Sequence, residues 1–254
     1  MTAETRYTAR VALIVALGGF LMGFDASVIS GVVGFIELEF SLTKIELGWS
    51  VASLTLTATL AMMVAGPLSD RIGRRPVLRI AALLFAVSAV ASAFAPSFLA
   101  LVLARMIGGL GVGAALIIAP MYIAEIAPAE VRGRMVSFNQ LNIVIGISAA
   151  FFSNYLILTL GDSAAAWAQP LQFEAWAWRW MLGIETLPAI LYFLALLAVP
   201  ESPRWLAMKG REDEALGILE RVSGPERARA DLQRVHDSLG TEEGASQGTL
   251  RQLF

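Results

Sequence analysis

Gly66-Pro-Leu-Ser-Asp-Arg-Ile-Gly-Arg-Arg-Pro76 decides how the rest of the chain is read. It holds one acid, Asp70, and three arginines, Arg71, Arg74 and Arg75, with long apolar runs on both sides. Charge of that density beside membrane-length apolar segments cannot lie in lipid, so the stretch belongs in water at a membrane face. Its glycines and prolines predict a tight turn between two spans. The arginines place the turn on the cytoplasmic side, because loops rich in Lys and Arg stay inside.

Composition agrees with this reading. The chain has 254 residues, 57% of them hydrophobic and only 16% charged. A soluble domain of this size carries about 25% charged residues, so a polytopic membrane protein is expected. There is no cysteine, which excludes a disulfide framework and thiolate metal sites. The single histidine, His236, lies in a polar segment and cannot build a metal cluster. No patch is basic enough to suggest nucleic acid, and the first apolar run, span-length and without a small-residue cleavage site in clear view, is not expected to be a cleavable signal.

Working outward, a helix needs roughly 20 apolar residues to cross the hydrocarbon core. Six segments qualify: 10–33, 47–68, 77–95, 98–126, 136–160 and 176–199. The stretch 34–45 is expected as a short outer loop, 128–134 as an inner loop and 161–175 as an outer loop without Lys or Arg. Trp176, Trp178 and Trp180 are expected to form an interfacial belt. From Pro200 the composition turns charged and helix-forming. Ser202 can cap a helix that starts at Pro203 and ends near Gly210. Further helices are expected over 211–223, with Leu216 and Leu219 inward, and over 225–239. Residues 241–248 read as a linker, and 249–254 as the start of a further segment. The division expected is a six-span bundle over 1–199, cytoplasmic helices over 200–240 and a linker over 241–254 leading to a missing seventh span. Lys44 is the only basic residue in the outer loops, so both ends are expected in the cytoplasm.

Two ionisable residues stand out inside the spans, Asp25 and Arg105. Asp25 lies roughly 22 Å above Arg10, and Arg105 about 10 Å below Phe98, at the helical rise per residue. In a core of roughly 30 Å, both fall near the same depth, so they are expected to pair. Either alone would cost at least ~2.5 kcal/mol. Residue types leave two readings open: a structural ion pair, or a titratable switch in which a proton on Asp25 frees Arg105. The fifth span carries Asn139, Gln140, Asn142 and Asn154, of which Gln140 and Asn154 are expected to share a face with Ile147. Amides can bind one another across helices or bind sugar hydroxyls. Gly108, Gly109, Gly111 and Gly113 on the fourth span form a small face on which backbones can touch.

The residues now resemble a family. The stretch 66–75 is similar to the signature G-x-x-x-D-R-x-G-R-R of the major facilitator superfamily. Pro120-Met-Tyr-Ile-Ala-Glu125, then Pro128 and Arg132-Gly133, resembles the sugar porter pattern P-x-Y-x-x-E-x-x-P-x-x-x-R-G. Pro200-Glu-Ser-Pro-Arg204 resembles the mark that follows span six in that family, and Gly23-Phe-Asp25 with Val28-Ile-Ser-Gly31 resembles its first helix.

The resemblance implies an all-α membrane protein: the N-terminal six-helix bundle of a twelve-helix transporter, built from two inverted three-helix repeats, plus cytoplasmic helices. It implies that Asp25 and Arg105 match the acid–arginine pair of bacterial sugar–proton symporters, with the proton as coupling ion and no other cofactor. It implies that Gln140 contacts sugar, with Ile147 and Met22 at the same cavity. Ile147 stands where some xylose-type members have glutamine, Met22 replaces an aromatic, and Phe24 stands for the usual tyrosine. Asp70, Arg71, Arg74, Arg75, Glu125, Arg132, Glu201 and Arg204 match a cytoplasmic charge network that latches the two halves. The expected protein is a multi-pass transporter of the cell membrane, with a monosaccharide or polyol as substrate and lipid and a missing C-terminal half as partners. It is no enzyme, since no nucleophile–base pair stands out. Facilitative uniport, transport of another small organic solute, and sugar sensing without transport are the alternatives.

Overall fold

A single residue, Gly73, turns the chain at the arginine-rich stretch. In the computed structural model, which describes residues 3–163 and 169–252, helix α2 (Lys44–Ile72) runs through Gly66 and Pro67, and α3 (Arg74–Ala93) begins directly after Gly73. The turn expected over the whole quoted stretch is therefore one residue long. Gly73 has φ +104°, a conformation that side-chain-bearing residues rarely adopt, and a Cβ there would lie 2.4 Å from Glu201 Oε2. Pro67 is tolerated inside α2, as prolines in membrane helices often are.

The first, second and fifth spans run longer than hydropathy alone predicts. Helix α1 (Ala3–Glu39) absorbs most of the expected outer loop. What remains of that loop ends at Thr43, whose side chain accepts from Glu46 N while Glu46 accepts from Thr43 N, a capping box that fixes the start of α2. Helix α4 (Phe98–Ile126) matches its expected bounds and starts on a Ser97 cap. Helix α5 (Arg132–Gly161) starts inside the expected inner loop. After a short 3₁₀ turn (Gln169–Leu171), the sixth span is two pieces, α6 (Ala177–Gly183) and α7 (Thr186–Leu197). The interruption at Ile184–Glu185 has a local cause: Pro188 has no N–H to offer Ile184 O, which instead accepts from Leu187 N at 3.2 Å. Among the described residues, six helical segments are long and apolar enough to cross a membrane, α6 and α7 together forming the sixth.

The remaining helices are α8 (Pro203–Met208), α9 (Glu212–Ser223) and α10 (Pro225–Gln252). Ser202 caps α8 by accepting from Trp205 N at 3.3 Å, and Leu219 is buried on α9 together with Ala215 and Val222, while Leu216 is half-buried. Helix α10 continues where a linker was expected over 241–248. Glu242, Glu243, Ala245 and Gln247 favour helix, and an interior glycine costs only about 1 kcal/mol.

Helix α1 packs along α5 and crosses α4; α2 and α3 pack on opposite sides of α4; α6 and α7 close against α3. The glycine face of α4 is a packing surface. A Cβ on Gly113 would stand 2.1 Å from Ala58 O, and one on Gly109 2.0 Å from Thr57 Oγ1. Two apolar clusters result. One, around Phe85, Ile118, Tyr122 and Tyr192, lies toward the arginine-rich end; the other, around Ile36, Leu101, Trp178 and Met181, lies toward the opposite end. Trp178 belongs to this second core rather than to a belt, being 2% exposed against 45% for Trp176. Its indole N–H donates to Glu39 Oε2 at 2.5 Å, and Arg179 joins the same carboxylate at 2.9 Å.

Candidate functional site

Between the two apolar clusters lies a buried polar centre. Asp25 of α1 and Arg105 of α4 meet there, Nη1 to Oδ1 at 3.3 Å. Both are almost fully buried, at 4% and 2% exposed. The depth argument thus brings together the residues it expected to pair. Arg105 has a second anchor: its Nε donates to Ser50 O of α2 at 3.1 Å. Gly108 lets α3 approach α4 beside this pair: a Cβ there would stand 2.5 Å from Ser88 Oγ, and Asp25 Oδ2 lies in ordinary contact at 3.5 Å. Two opposed influences act on this carboxyl: loss of water disfavours its charged form, and the guanidinium favours it.

Sequence reasoning missed a third member. Glu185, at the break between α6 and α7, is 4% exposed and lies in the electrostatic field of both Asp25 and Arg105. Its Oε1 is buried and has no hydrogen-bond partner among the described residues. A lone acid in the middle of the sixth apolar run was the available signal. It faces the interior because the Pro188 break sets it at the turn between two helical pieces.

The amides of α5 separate into two groups. Asn154 Nδ2 donates to Val28 O of α1 at 3.0 Å, Asn142 Nδ2 to Phe138 O of its own helix at 2.9 Å, and Asn139 is buried against Gly19. These serve helix packing. Gln140 alone is exposed, with Ser137 and Ser148 also exposed on α5. Asn154 does not share the open face with Gln140, since a seven-residue repeat drifts by ∼20° and two repeats carry it toward α1. Ile147 N would lie 3.1 Å from a Cβ on Gly23, which sets Ile147 and the neighbouring Met22 at one level of the α1–α5 seam, both half-buried.

At the arginine-rich end, Arg74 is the hub. It is 4% exposed, donates to Asp70 Oδ1 at 2.7 Å, and forms a two-pronged contact with Glu125, Nη2 to Oε1 at 3.0 Å and Nε to Oε2 at 3.0 Å. Glu201 reaches across to the start of α3 and accepts from the backbone N–H of Arg74 at 3.1 Å, of Arg75 at 3.2 Å and of Ser202 at 2.8 Å. Gly73 has no side chain to cap α3, so Glu201 supplies the cap from a distant part of the chain. Burial holds its carboxyl above the ordinary carboxylate range despite these bonds. Ser202 Oγ donates to Glu125 at 2.5 Å, Trp205 Nε1 to Asp70 O at 3.1 Å and Tyr122 OH to Pro200 O at 2.9 Å, three members not anticipated. Arg204 reaches Ser238 on α10 instead, at 3.1 Å. Arg71 and Arg132 are exposed and make no hydrogen bond or ion pair with this network among the described residues. Arg132, Arg74, Asp70 and Glu125 all line an open cleft of about 1150 Å³ at this end.

The comparison with known proteins fits this geometry. Residues 11–254 match the model of the family described as sugar (and other) transporter. The arabinose-proton symporter of Bacillus subtilis (strain 168) is 42% identical over 94% of this chain and 49% of its own length. The D-xylose-proton symporter of Escherichia coli (strain K12) is 38% identical over 93% of this chain and 52% of its own. A solved structure of the proton:xylose symporter XylE bound to 6-bromo-6-deoxy-D-glucose superposes with a TM-score of 0.86 at 36% identity, covering 97% of this chain and 55% of that one. The chain thus spans about half the length of the curated relatives it matches. It belongs to the sugar transporter family of the major facilitator superfamily, a family of transporters rather than enzymes, and corresponds to the N-terminal six-helix half of its fold.

Proposed function

We propose that this chain is the N-terminal half of a secondary active transporter that moves a monosaccharide or polyol together with a proton by alternating access. The observation that supports it most is the buried Asp25–Arg105 contact, in a chain 42% identical to an arabinose-proton symporter. Asp25 takes the proton, Arg105 answers the change in charge, and Glu185 lies close enough to feel both. Gln140 offers a donor and an acceptor to sugar hydroxyls from the open face of α5, with Met22 and Ile147 as apolar neighbours. The network around Arg74 lies on the cytoplasmic side, with both ends of the chain, and biases the protein between its two states. Arg71 and Arg132 stand exposed at its edge, facing the second half, while Arg204 ties α8 to α10. The membrane is the cell membrane, and lipid and the second six-helix half are the partners.

The test is uptake of labelled pentoses and hexoses by proteoliposomes of the whole transporter, driven by an inward proton gradient. Asp25→Asn should abolish gradient-driven accumulation while sugar exchange without a gradient persists. Uptake by the parent protein that only equilibrates the sugar and ignores the proton gradient would make it a uniporter instead.

A further inference from the structure

Beside the charge network, on the outer side of α3, lies a recess of about 380 Å³ between the start of that helix, the Pro200–Glu201 turn and helices α8 and α9. Arg75, Arg79 and Arg211 line it, with Ile72, Pro76 and Ile218 as apolar walls. Arg79 lies five residues into α3, roughly 7 Å along the axis, at the depth of a bilayer's head-group layer. Ile80 and Leu83, a turn further along, are 45% and 53% exposed, so the recess adjoins a surface fit for lipid.

The charges around the recess do not cancel. Glu201 is occupied by three backbone N–H groups, and Glu214 is held by Arg211 through two contacts of 2.7 Å. Arg75 and Arg79 have only carbonyls. Arg75 Nη2 donates to Leu197 O at 2.9 Å, and Arg79 Nη2 donates to the same oxygen at 3.3 Å and to Leu196 O at 3.2 Å. Two guanidiniums thus converge on one carbonyl at the C-terminal end of α7, with no carboxylate salt bridge among the described residues. Arg75 Nε is buried there without a hydrogen-bond partner among them.

We propose that this recess is a phosphate site, formed by Arg75 and Arg79 and flanked by Arg211, that takes either the phosphodiester of an anionic phospholipid or inorganic phosphate. A phosphate supplies anionic acceptors where these two guanidiniums have only carbonyls, and guanidinium geometry suits it. An occupant would tie α3 to α7 and α9 within one turn of Gly73 and Glu201. Nothing in this site depends on sugar transport.

The experiment uses the protein in nanodiscs of phosphatidylcholine, alone, with added phosphatidylglycerol, or with inorganic phosphate in the buffer. Native mass spectrometry reads retained lipid, and thermal melting reads both probes. One phosphatidylglycerol should be retained and the melting temperature raised; a rise with phosphate alone would identify the free anion as the source. Arg79→Gln and Ile218→Trp should each weaken retention or the melting response by roughly tenfold, the scale of a charge-assisted hydrogen bond. Ile218→Trp fills the recess with every charge in place, so it decides the matter if Arg79→Gln does not fold. Arg227→Gln, on the other cleft, should leave binding unchanged. Neither probe binding, or equal binding by Ile218→Trp and the parent, overturns the proposal.

Discussion

At the scale of single residues, the polar centre is held by unequal ties. Arg105 has a carbonyl contact with Ser50 that does not depend on the charge of Asp25, whereas Asp25 bonds Arg105 alone among the described residues. Arg105→Gln should therefore be the most damaging change there, since it strands an acid in the bundle, at a cost of about 3–5 kcal/mol. Asp25→Asn combined with Arg105→Gln should recover most of that loss, and a double-mutant cycle on thermal unfolding in detergent measures it. Equal destabilisation by the single and double variants would show that the two residues are not coupled. Glu201 gives a second prediction, on pH. Its carboxyl titrates above the ordinary range because it is buried, so the folded state holds this proton more tightly than the unfolded chain does. Its contribution to stability therefore grows as pH falls through that raised range and is lost as pH rises through it. The difference in melting temperature between the parent and Glu201→Gln, followed from neutral to mildly acidic pH, should change in that sense. Residue chemistry was legible in the sequence where charge stood out against apolar surroundings, as at Asp25, Arg105 and Arg74. Glu185 carried the same signal, one acid in a long apolar run, and was overlooked; what hydropathy did not show was the break before Pro188 at which it sits. Ser202 and Tyr122 were illegible for another reason: their partners lie 77 and 78 positions away in sequence.

At the scale of elements, spacing between helices is set by missing side chains. Helices α2 and α4 touch backbone to backbone at Gly109 and Gly113, where the nearest α2 atoms leave no room for a methyl group. Gly113→Ala forces a Cβ to 2.1 Å from Ala58 O, so the helices must separate. Overpacking of this kind costs about 1–3 kcal/mol. Separation also stretches the Arg105–Ser50 contact, which spans the same pair of helices. Gly113→Ala should thus lower the melting temperature; Gly66→Ala, where a Cβ meets nothing within 4 Å, should leave it nearly unchanged. Equal behaviour of the two variants would contradict the packing described. The existence and order of the spans followed from hydropathy, but their ends did not. Hydropathy records where lipid stops, whereas a helix stops where its hydrogen bonds stop. Hence α1 runs on past its apolar part to Glu39, and α2 starts at a capping box that Thr43 and Glu46 spell out. The one-residue turn at Gly73 was hidden by the expectation that proline and glycine break membrane helices, which Pro67 does not.

For the molecule as a whole, the question is which surfaces meet lipid and which do not. Helix α5 exposes Phe151, Phe152 and Tyr155, as a lipid-facing helix would, but it also exposes Gln140 and Ser148 within the span. An exposed amide at that depth is costly against hydrocarbon, so on the proposed function the Gln140 face is one wall of a wet cavity whose other wall is the second half. A transporter alternates by rocking two such walls about the substrate. On the proposed function, residues 1–254 supply one wall, with the Asp25–Arg105 pair buried inside it, and lack the second wall that rocking requires. Proteoliposomes carrying only these residues should therefore show no sugar exchange above protein-free vesicles, with or without a proton gradient. The Asp25–Arg105 contact should still be present in them, since every helix that holds it is in the chain, and the stability cycle at Asp25 and Arg105 should give the same coupling as in the whole transporter. Sugar flux through the isolated half, alone or as a pair of copies, would mean that α5 can face its own likeness across a cavity. Loss of the coupling in the isolated half would mean that the polar centre is held together from outside.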